Sequence, residues 1–588
     1  MNETYNALLR FVTEDYLESV DLSNLPSATT IEREILEVVN QEIARYNKGP
    51  EDPPGSGEFP HPKKGKEKYE ILKTLTHYQI GMILIALYDA KRIYYGKVND
   101  AESGVIGFFA TEGSRRGIYN VCPPDVASLI RRYHVSANRQ FIGEVLDYLS
   151  SEAPKAARCS DKDLVAVNNG IYNYRTKELL PFSPEWIFTS KSDVNFVDNA
   201  QNVVIHNEDD GTDWNVESWM NSLSDNPEIV DLLWELLGAV IRPNVPWNKA
   251  AWLYSPSGNN GKGTLCRLMR NLCGEESHTS IAIGDFGKDF MLEPLTYASA
   301  IIVDENDTNT FIDKAAALKS VITGDPFQIN RKFKQAVTMR FQGMMVQCVN
   351  ELPRSKDRSD SAYRRILPIP MTKRFEGHER KYIKDDYLNR KDVLEYVMYK
   401  LLAQTNYYEL SQPKACLELL EEYKVTNDPV RQFMADTLPE VVWTLLPRQF
   451  YYDLYVGWNH RNNSEGKPMK KDAFLNNVKR LLSEYPGWIY GDKKVRPKGR
   501  MDMPEPLILE YNVTPWMNKS YTGNDPDKKC KPDLAESYRG LEFIGVRVAK
   551  SNDEEDKEDW LCQRERSTRT PWAVLSSRQS SWTRFTSR

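Results

Sequence analysis

Long apolar runs are missing from this sequence. None reaches the roughly 18 residues that a membrane-spanning helix needs, and charged and polar residues follow Met1 at once, where a secretory leader would place an apolar stretch. Neither insertion nor secretion is expected, so the expected compartment is the cytoplasm. Paired cysteines are missing too. The eight cysteines, Cys122, Cys159, Cys266, Cys273, Cys348, Cys416, Cys530 and Cys562, form no C-x-x-C pair and adjoin no histidine cluster, which argues against a tetrahedral zinc site and leaves them as structural thiols. An excess of positive charge is also absent: a formal net charge of -6 argues against a protein that coats nucleic acid over its whole surface, and leaves any DNA contact to local basic patches. No internal repeat points to a solenoid or propeller.

What is present suits a multidomain globular protein. With 40% hydrophobic, 11% aromatic and 27% charged residues, a chain of 588 has material for about three or four cores. Residues 1–47 read as an N-terminal helical segment, with a capping box at Thr29 and Glu32 and with Ile31, Ile35, Val38, Val39 and Ile43 on one face. Residues 48–68 mix proline, glycine and lysine without apolar period and read as a flexible linker. Residues 69–215 alternate helical stretches, such as 126–132, with strand-like ones, such as 164–167 before the turn Asn168-Asn169-Gly170, as an α+β domain does. Leu232, Leu233, Leu236, Leu237, Val240 and Ile241 then recur at helical spacing until Pro243 stops the helix. A motor core is expected over 216–380, a helical connector over 381–427 and a small basic domain over 428–550. Residues 551–588 turn from acidic to Ser/Arg-rich without a core pattern and read as a disordered tail.

The chemistry concentrates in the motor segment. The apolar run from Ala250 to Tyr254 leads into S-P-S-G-N-N-G-K-G-T and then a helical stretch. Strand, glycine-containing loop, lysine and helix are the order of a P-loop, in which loop amides and the positive helix end cradle phosphates and the lysine reaches the β and γ phosphates. Gly258, Asn259, Asn260, Gly261, Lys262, Gly263 and Thr264 are therefore the expected ATP-binding residues. Two departures stand out. Pro256 replaces the usual first glycine and Gly263 follows the lysine, leaving Thr264 as the nearest hydroxyl for Mg2+. A glycine turn that binds nothing would explain the glycines, but not a lysine at that offset before a helix.

Further along, the apolar strand Ala300 to Val303 ends in Asp304-Glu305: Asp304 would hold Mg2+ and Glu305 would act as general base on the attacking water. A third apolar strand, Gly343 to Val349, ends at Asn350, placed to orient water against the γ phosphate; by itself it would pass for a turn residue. Arg364 and Arg365 precede another apolar strand. In a ring, one of them would serve as an arginine finger on a neighbour's nucleotide; an ordinary surface ion pair is the alternative.

Together, the strand, N-G-K-G-T loop, D-E pair, basic I-T-G-D-P-F-Q-I-N-R-K-F-K segment and strand-Asn resemble the superfamily 3 helicases of the AAA+ class. Within them the likeness is to the primase-helicases of satellite phages and poxviruses, over about Gly104 to Arg500, with residues 164–184 similar to their pre-helicase domain. The resemblance implies a multidomain α/β fold: an AAA+ P-loop core with a parallel sheet, preceded by an α+β pre-helicase domain and followed by a winged-helix-like domain. It implies a homo-oligomeric ring, a hexamer, that uses ATP and Mg2+ to move along single-stranded DNA through a central channel, acting on forks in phage or mobile-element replication, with primase or other replication proteins as partners. Arg331, Lys332, Phe333 and Lys334 would be the hairpin that tracks the strand, a mixture of phosphate charge and a stacking ring suited to a single-strand groove, or else a solvated basic turn. Lys470, Lys471, Lys479 and Arg480 would flank a recognition helix, with residues 493–500 as a wing, unless they are ordinary surface charges.

Three other readings stay open. A small-molecule P-loop kinase fits G-K-G-T but needs neither the Asn350 sensor nor the basic hairpin. An origin-binding initiator, whose ATPase assembles a ring or melts an origin, fits as well as a helicase does. A primase activity would need a metal site, and Asp161-x-Asp163 is the tempting carboxylate pair before the P-loop.

Overall fold

The computed structural model describes residues 3–48, 68–96, 104–308, 310–313, 315–331, 334–375, 377, 380–462 and 468–545. The linker and tail expected at 48–68 and 551–588 lie almost wholly outside them. The chain divides into two compact units between Asp428 and Pro429.

The first unit opens with helices α1 (Glu3–Glu18), α2 (Ala28–Lys48), α3 (His77–Tyr88), α4 (Pro123–Tyr133) and α5 (Arg139–Glu152). Ile31, Ile35, Val39 and Ile43 of α2 are buried, and they share one core with Leu8 and Leu9, Ile80 and Ile83, Leu129 and Ile130, and Val145 and Leu149. The N-terminal helices are therefore part of a bundle that runs to residue 153. Helix α2 is capped two residues earlier than expected: Thr30 N donates to Ser27 Oγ at 3.2 Å and Ile31 N to Ser27 O at 3.0 Å, so Thr29 lies inside the helix.

Beside this bundle lies a sheet of order β3-β2-β1-β4, from β1 (Lys91–Tyr94), β2 (Val105–Phe109), β3 (Tyr119–Asn120) and β4 (Lys155–Ala157). An antiparallel meander follows, β5 (Leu164–Val167), β6 (Gly170–Asn173) and β7 (Glu178–Leu180), with Asn168-Asn169 as the turn between Val167 and Gly170. A short hairpin, β8 (Ile205–Asn207) and β9 (Thr212–Trp214), then leads to α6 (Val216–Ser222) and the apolar α7 (Pro227–Ile241).

The centre of the unit is a five-stranded, wholly parallel sheet of order β11-β12-β16-β10-β18. Its strands are β10 (Ala250–Tyr254), β11 (His278–Thr279), β12 (Ala300–Val303), β16 (Met344–Val349) and β18 (Ile366–Pro370). A strand buried on both faces reads as a continuous apolar run, and Ala250 to Leu253, Ala300 to Val303 and Met344 to Val349 are buried at every position. Between them the chain forms α8 (Lys262–Cys273), β13 (Phe311–Ile312), α9 (Ala315–Thr323), the hairpin β14 (Phe327–Arg331) and β15 (Lys334–Met339), β17 (Arg354–Ser355) and α10 (Asp360–Tyr363). After β18 come α11 (Lys381–Asp385), α12 (Lys391–Ala403) and α13 (Lys414–Asn427). One apolar core joins the sheet and α8 to Val165 and Tyr172 of the meander, to α7, and to Val397 and Leu401 of α12. It crosses the boundary expected at 215 and takes in the helices expected as a connector.

The second unit has its own core, with Phe433, Trp443, Phe450, Leu454, Phe474 and Leu541 at its centre. Its order is α14 (Pro429–Thr437), β19 (Leu445–Pro447), α15 (Arg448–Asn462), α16 (Lys471–Leu481), β20 (Trp488–Tyr490), α17 (Leu507–Glu510), α18 (Pro526–Lys529) and β21 (Gly540–Phe543). The strands pair antiparallel in the order β19-β21-β20. No helix among the described residues is long and apolar enough to cross a membrane.

Candidate active site

Parallel strands present their carboxyl ends at one edge, and in open α/β sheets that edge is where ligands bind. Here β10 delivers Ser255 to Gly261 to this edge, β12 delivers Asp304 and Glu305, and β16 delivers Asn350. Because β16 lies between β10 and β12, Asn350 sits beside the loop that follows Tyr254, with Tyr254 paired to Val349 and Val303 to Gln347.

The loop is bent by two left-handed residues, Asn259 at φ 54° and Gly261 at φ 83°. An added Cβ on Gly261 would come within 2.7 Å of Leu223 Cδ2, so glycine is needed there for space as well as for φ. Asn260 is buried: it donates to Ser257 O and accepts from Lys262 N at 3.3 Å, locking the loop from inside. Asn259 O accepts from Phe375 N at 2.8 Å, while Gly258 and Asn259 face solvent. Gly263 and Thr264 lie in the first turn of α8, each half-buried.

Lys262 is buried, and its Nζ donates to Asn350 Oδ1 at 2.8 Å, Ser255 O at 3.2 Å and Val349 O at 3.3 Å. Burial pulls this ammonium below the ordinary lysine pKa, with the Cys348 and Cys266 thiols nearby acting the other way. Among the described residues its hydrogen-bond partners include no carboxylate, which suits an ammonium that meets its counter-charge only when an anion enters the loop.

Asp304 Oδ2 accepts from Arg270 Nη1 at 2.8 Å, and Arg270 Nη2 donates to Ile302 O at 3.3 Å. Asp304 Oδ1 is buried without a hydrogen-bond partner. Glu305, one residue on, is exposed at the same edge. Asn306 then ties this strand end to its neighbours, accepting from Ile283 N at 2.9 Å and donating to Gln347 Oε1 and Cys348 O, both at 3.0 Å. Cys266 and Cys348 face each other at 3.4 Å under the site, each thiol adjoining the other in the apolar interior.

Of the two arginines after β17, Arg364 is exposed, whereas Arg365 folds back on its own turn, donating to Ser361 O and to Ser361 Oγ at 2.6 Å. The structure thus brings Lys262, Asn350, Asp304 and Glu305 to one edge and leaves Arg364 at the surface. Arg270 and Asn306 were not singled out by the sequence reading. The signal for Arg270 was available: Lys262, Cys266 and Arg270 recur at i, i+4 and i+8, so they share the helix face that packs on β12 and β16.

The basic hairpin pairs Phe327 with Met339, Gln328 with Thr338, Ile329 with Val337 and Arg331 with Lys334. Lys332 and Phe333 lie outside the described residues, and Arg331 and Lys334 are placed by their backbone alone. In the second unit Lys470 is the residue before α16 and is exposed; Lys471 donates to Gln449 Oε1, Lys479 stands 5.4 Å from the Tyr490 ring and Arg480 is exposed. The basic stretch beyond β20 forms an extended bridge from Val495 to Tyr538. Asp163 is buried, bound by Arg175 Nη2 at 2.6 Å and Tyr408 Oη at 2.6 Å, and no group of metal-ligating side chains occurs among the described residues.

Comparison with known proteins matches three family models: "D5 N terminal like" over residues 94–231, a family of unknown function (DUF5906) over 253–365, and "Poxvirus D5 protein-like" over 425–514. Among solved structures, the apo C-terminal region of NrS-1 is 12% identical, with 80% of this chain and 100% of that chain covered, at a TM-score of 0.38. A second apo structure of that region is 14% identical over 73% and 98%, also at 0.38. A JCV helicase bound to a small molecule is 17% identical over 38% and 63%, at 0.22. D5-type models thus match segments on both sides of the loop at 255–261, and over those segments the chain is similar to D5-like proteins.

Proposed function

We propose that this protein is an ATP-dependent DNA helicase of superfamily 3: a homo-oligomeric ring, a hexamer, that moves along single-stranded DNA at the forks of phage or mobile-element replication. The observation that carries the reading is the meeting of Lys262 and Asn350 at 2.8 Å on the carboxyl edge of the parallel sheet, with Asp304 and Glu305 on the next strand. Phosphoryl transfer is mostly positioning and charge stabilisation, and these residues supply both. Lys262 would take the β and γ phosphates, Glu305 the proton of the attacking water, and Asn350 would orient that water while releasing Lys262 to the nucleotide.

Magnesium fits the residues present. Asp304 Oδ1 is a buried oxygen without a partner, and Thr264 brings a hydroxyl to the first turn of the same helix. These two would hold the ion, whose charge would neutralise the phosphate oxygens. Arg364, exposed just before β18, suits a finger on a neighbouring subunit's nucleotide better than Arg365, which is engaged with Ser361. The hairpin residues Arg331, Lys332, Phe333 and Lys334 would contact the strand in the channel.

In the second unit, helix, strand, two helices, strand, long connection and returning central strand follow the order of a winged helix. In that reading α16, flanked by Lys470, Lys471, Lys479 and Arg480, is the recognition helix, and the extension bridged by Val495 and Tyr538 is the wing. This favours duplex binding as a second property and keeps origin recognition as the alternative role for the same ATPase. A primase centre at Asp161-x-Asp163 is disfavoured by the enclosure of Asp163 between Arg175 and Tyr408.

The test is displacement of a labelled strand from forked DNA with 3′ or 5′ tails, using wild type and Lys262→Ala. Displacement by the wild type alone, dependent on ATP, is the expected result and gives the polarity. DNA-stimulated ATPase without displacement would favour the initiator, and absence of ATPase would sink the motor reading.

A further inference from the structure

The two oxygens of Asp304 are in different circumstances. Oδ2 is held by Arg270, whereas Oδ1 is buried with no hydrogen-bond partner. The Cys266 thiol adjoins this carboxylate, but a thiol is a weak donor, and acceptor capacity left at the ligand edge of a parallel sheet points to a partner from outside the chain. The carboxylate is placed by a two-point hold: Arg270 Nη1 lies 2.8 Å from Asp304 Oδ2 and Arg270 Nη2 lies 3.3 Å from Ile302 O, so the guanidinium is referenced to the β12 backbone and fixes the plane of the carboxylate against the same strand. The arginine side chain is only 22% exposed, and it stands two turns beyond Lys262 on one face of α8. The helix that binds the phosphates therefore also aims the carboxylate of the neighbouring strand.

Resting on the nucleotide-site reading above, we propose that Arg270 is a positioning residue for the divalent cation: by occupying Asp304 Oδ2 it presents Oδ1 to the ion that accompanies the nucleotide. Its positive charge acts in the opposite sense, repelling a cation, so the two effects make opposite predictions for its removal. If aiming dominates, losing Arg270 weakens the metal. If repulsion dominates, losing it tightens the metal.

The experiment titrates Mn2+ into the full chain with bound ADP and follows free Mn2+ by electron paramagnetic resonance, for wild type, Arg270→Ala, Arg270→Met and Arg270→Lys. Removal of a residue that orients a metal ligand is expected to weaken Mn2+ by about 10-fold to 100-fold in the Ala and Met variants, with Lys restoring part of the loss through a single-point contact. Affinity for ADP without metal should stay unchanged, which a merely unfolded or distorted loop would not allow. Arg270→Met keeps the packed stem and carries the test should Arg270→Ala not fold. Unchanged or tighter Mn2+ binding with ADP binding intact overturns the proposal. A wild type that binds neither ADP nor Mn2+ with ADP would remove the nucleotide site itself, and the proposal with it.

Discussion

Burial works to raise the pKa of Asp163, but the Tyr408 hydroxyl and the Arg175 guanidinium outweigh it and hold the carboxyl below its ordinary value. A folded pKa below that of the unfolded chain, about 3.9, means stability that is fully present above that pH and is lost as pH falls through the folded value. Asp163→Asn should therefore cost about 2 kcal/mol near neutrality, the worth of hydrogen bonds to a charged group, and the gap to wild type should begin to narrow near about pH 4 and close as pH falls through the lower folded value. Thermal melts of both proteins against pH check this; a gap that persists in acid would mean the loss is steric. At this scale the sequence was informative wherever chemistry demands a fixed order along the chain. Lys262, Asp304 and Asn350 each follow an apolar strand, and strand ends are legible. Asn306 and Gln347 were not, because what they do depends on which strands become neighbours: Asn306 matters through its bonds to Gln347 and Ile283, residues distant in sequence.

Among the elements, α8 depends most on one residue. Gly261 caps it at φ 83°, a conformation that strains any residue with a Cβ, and Leu223 occupies the space that a Cβ would need. Gly261→Ala should cost about 1–3 kcal/mol and turn Lys262 away from Asn350, so weakened ADP binding is expected together with a lower Tm. Unaltered ADP affinity, read by calorimetry, would show that the loop does not need this bend. The helix and its strand were legible because a glycine loop before a lysine has few alternatives. The start of α2 was less so: Ser27, Thr29 and Thr30 are all able to cap, and the choice of Ser27 is made by where the chain turns after Pro26, which periodicity does not report.

The chain forms two compact units, one on each side of Asp428 and Pro429, and the second has a core of its own. Separate cores argue against all-or-none unfolding, and urea denaturation should resolve two transitions. ADP with Mg2+ should move only the transition of the first unit, by about 2.7 kcal/mol at a hundredfold excess over Kd. One joint transition, shifted as a whole, would refute this. Apolar periodicity disclosed that α2 has a face to bury but not what it would bury it against. Its main partners are α1, just before it, and α4, which comes long after residues 49–67, and apolar periodicity carries no register between them.

Strand β16 also joins two places that lie far apart. It begins just after Gly343, where an added Cβ would lie 2.0 Å from Ser299 O, and β15 of the hairpin leads into it there, at the edge of the sheet away from the loop at 255–261. Six residues later it ends at Asn350, about 20 Å along at the usual rise of a strand. Hydrogen-bonded to β10 and β12 on its two sides, it cannot stretch. A strand held in this way is a spacer of fixed length: on the function proposed above, the Asn350 end and the base of the hairpin keep a constant separation, so neither can shift along the strand without the other.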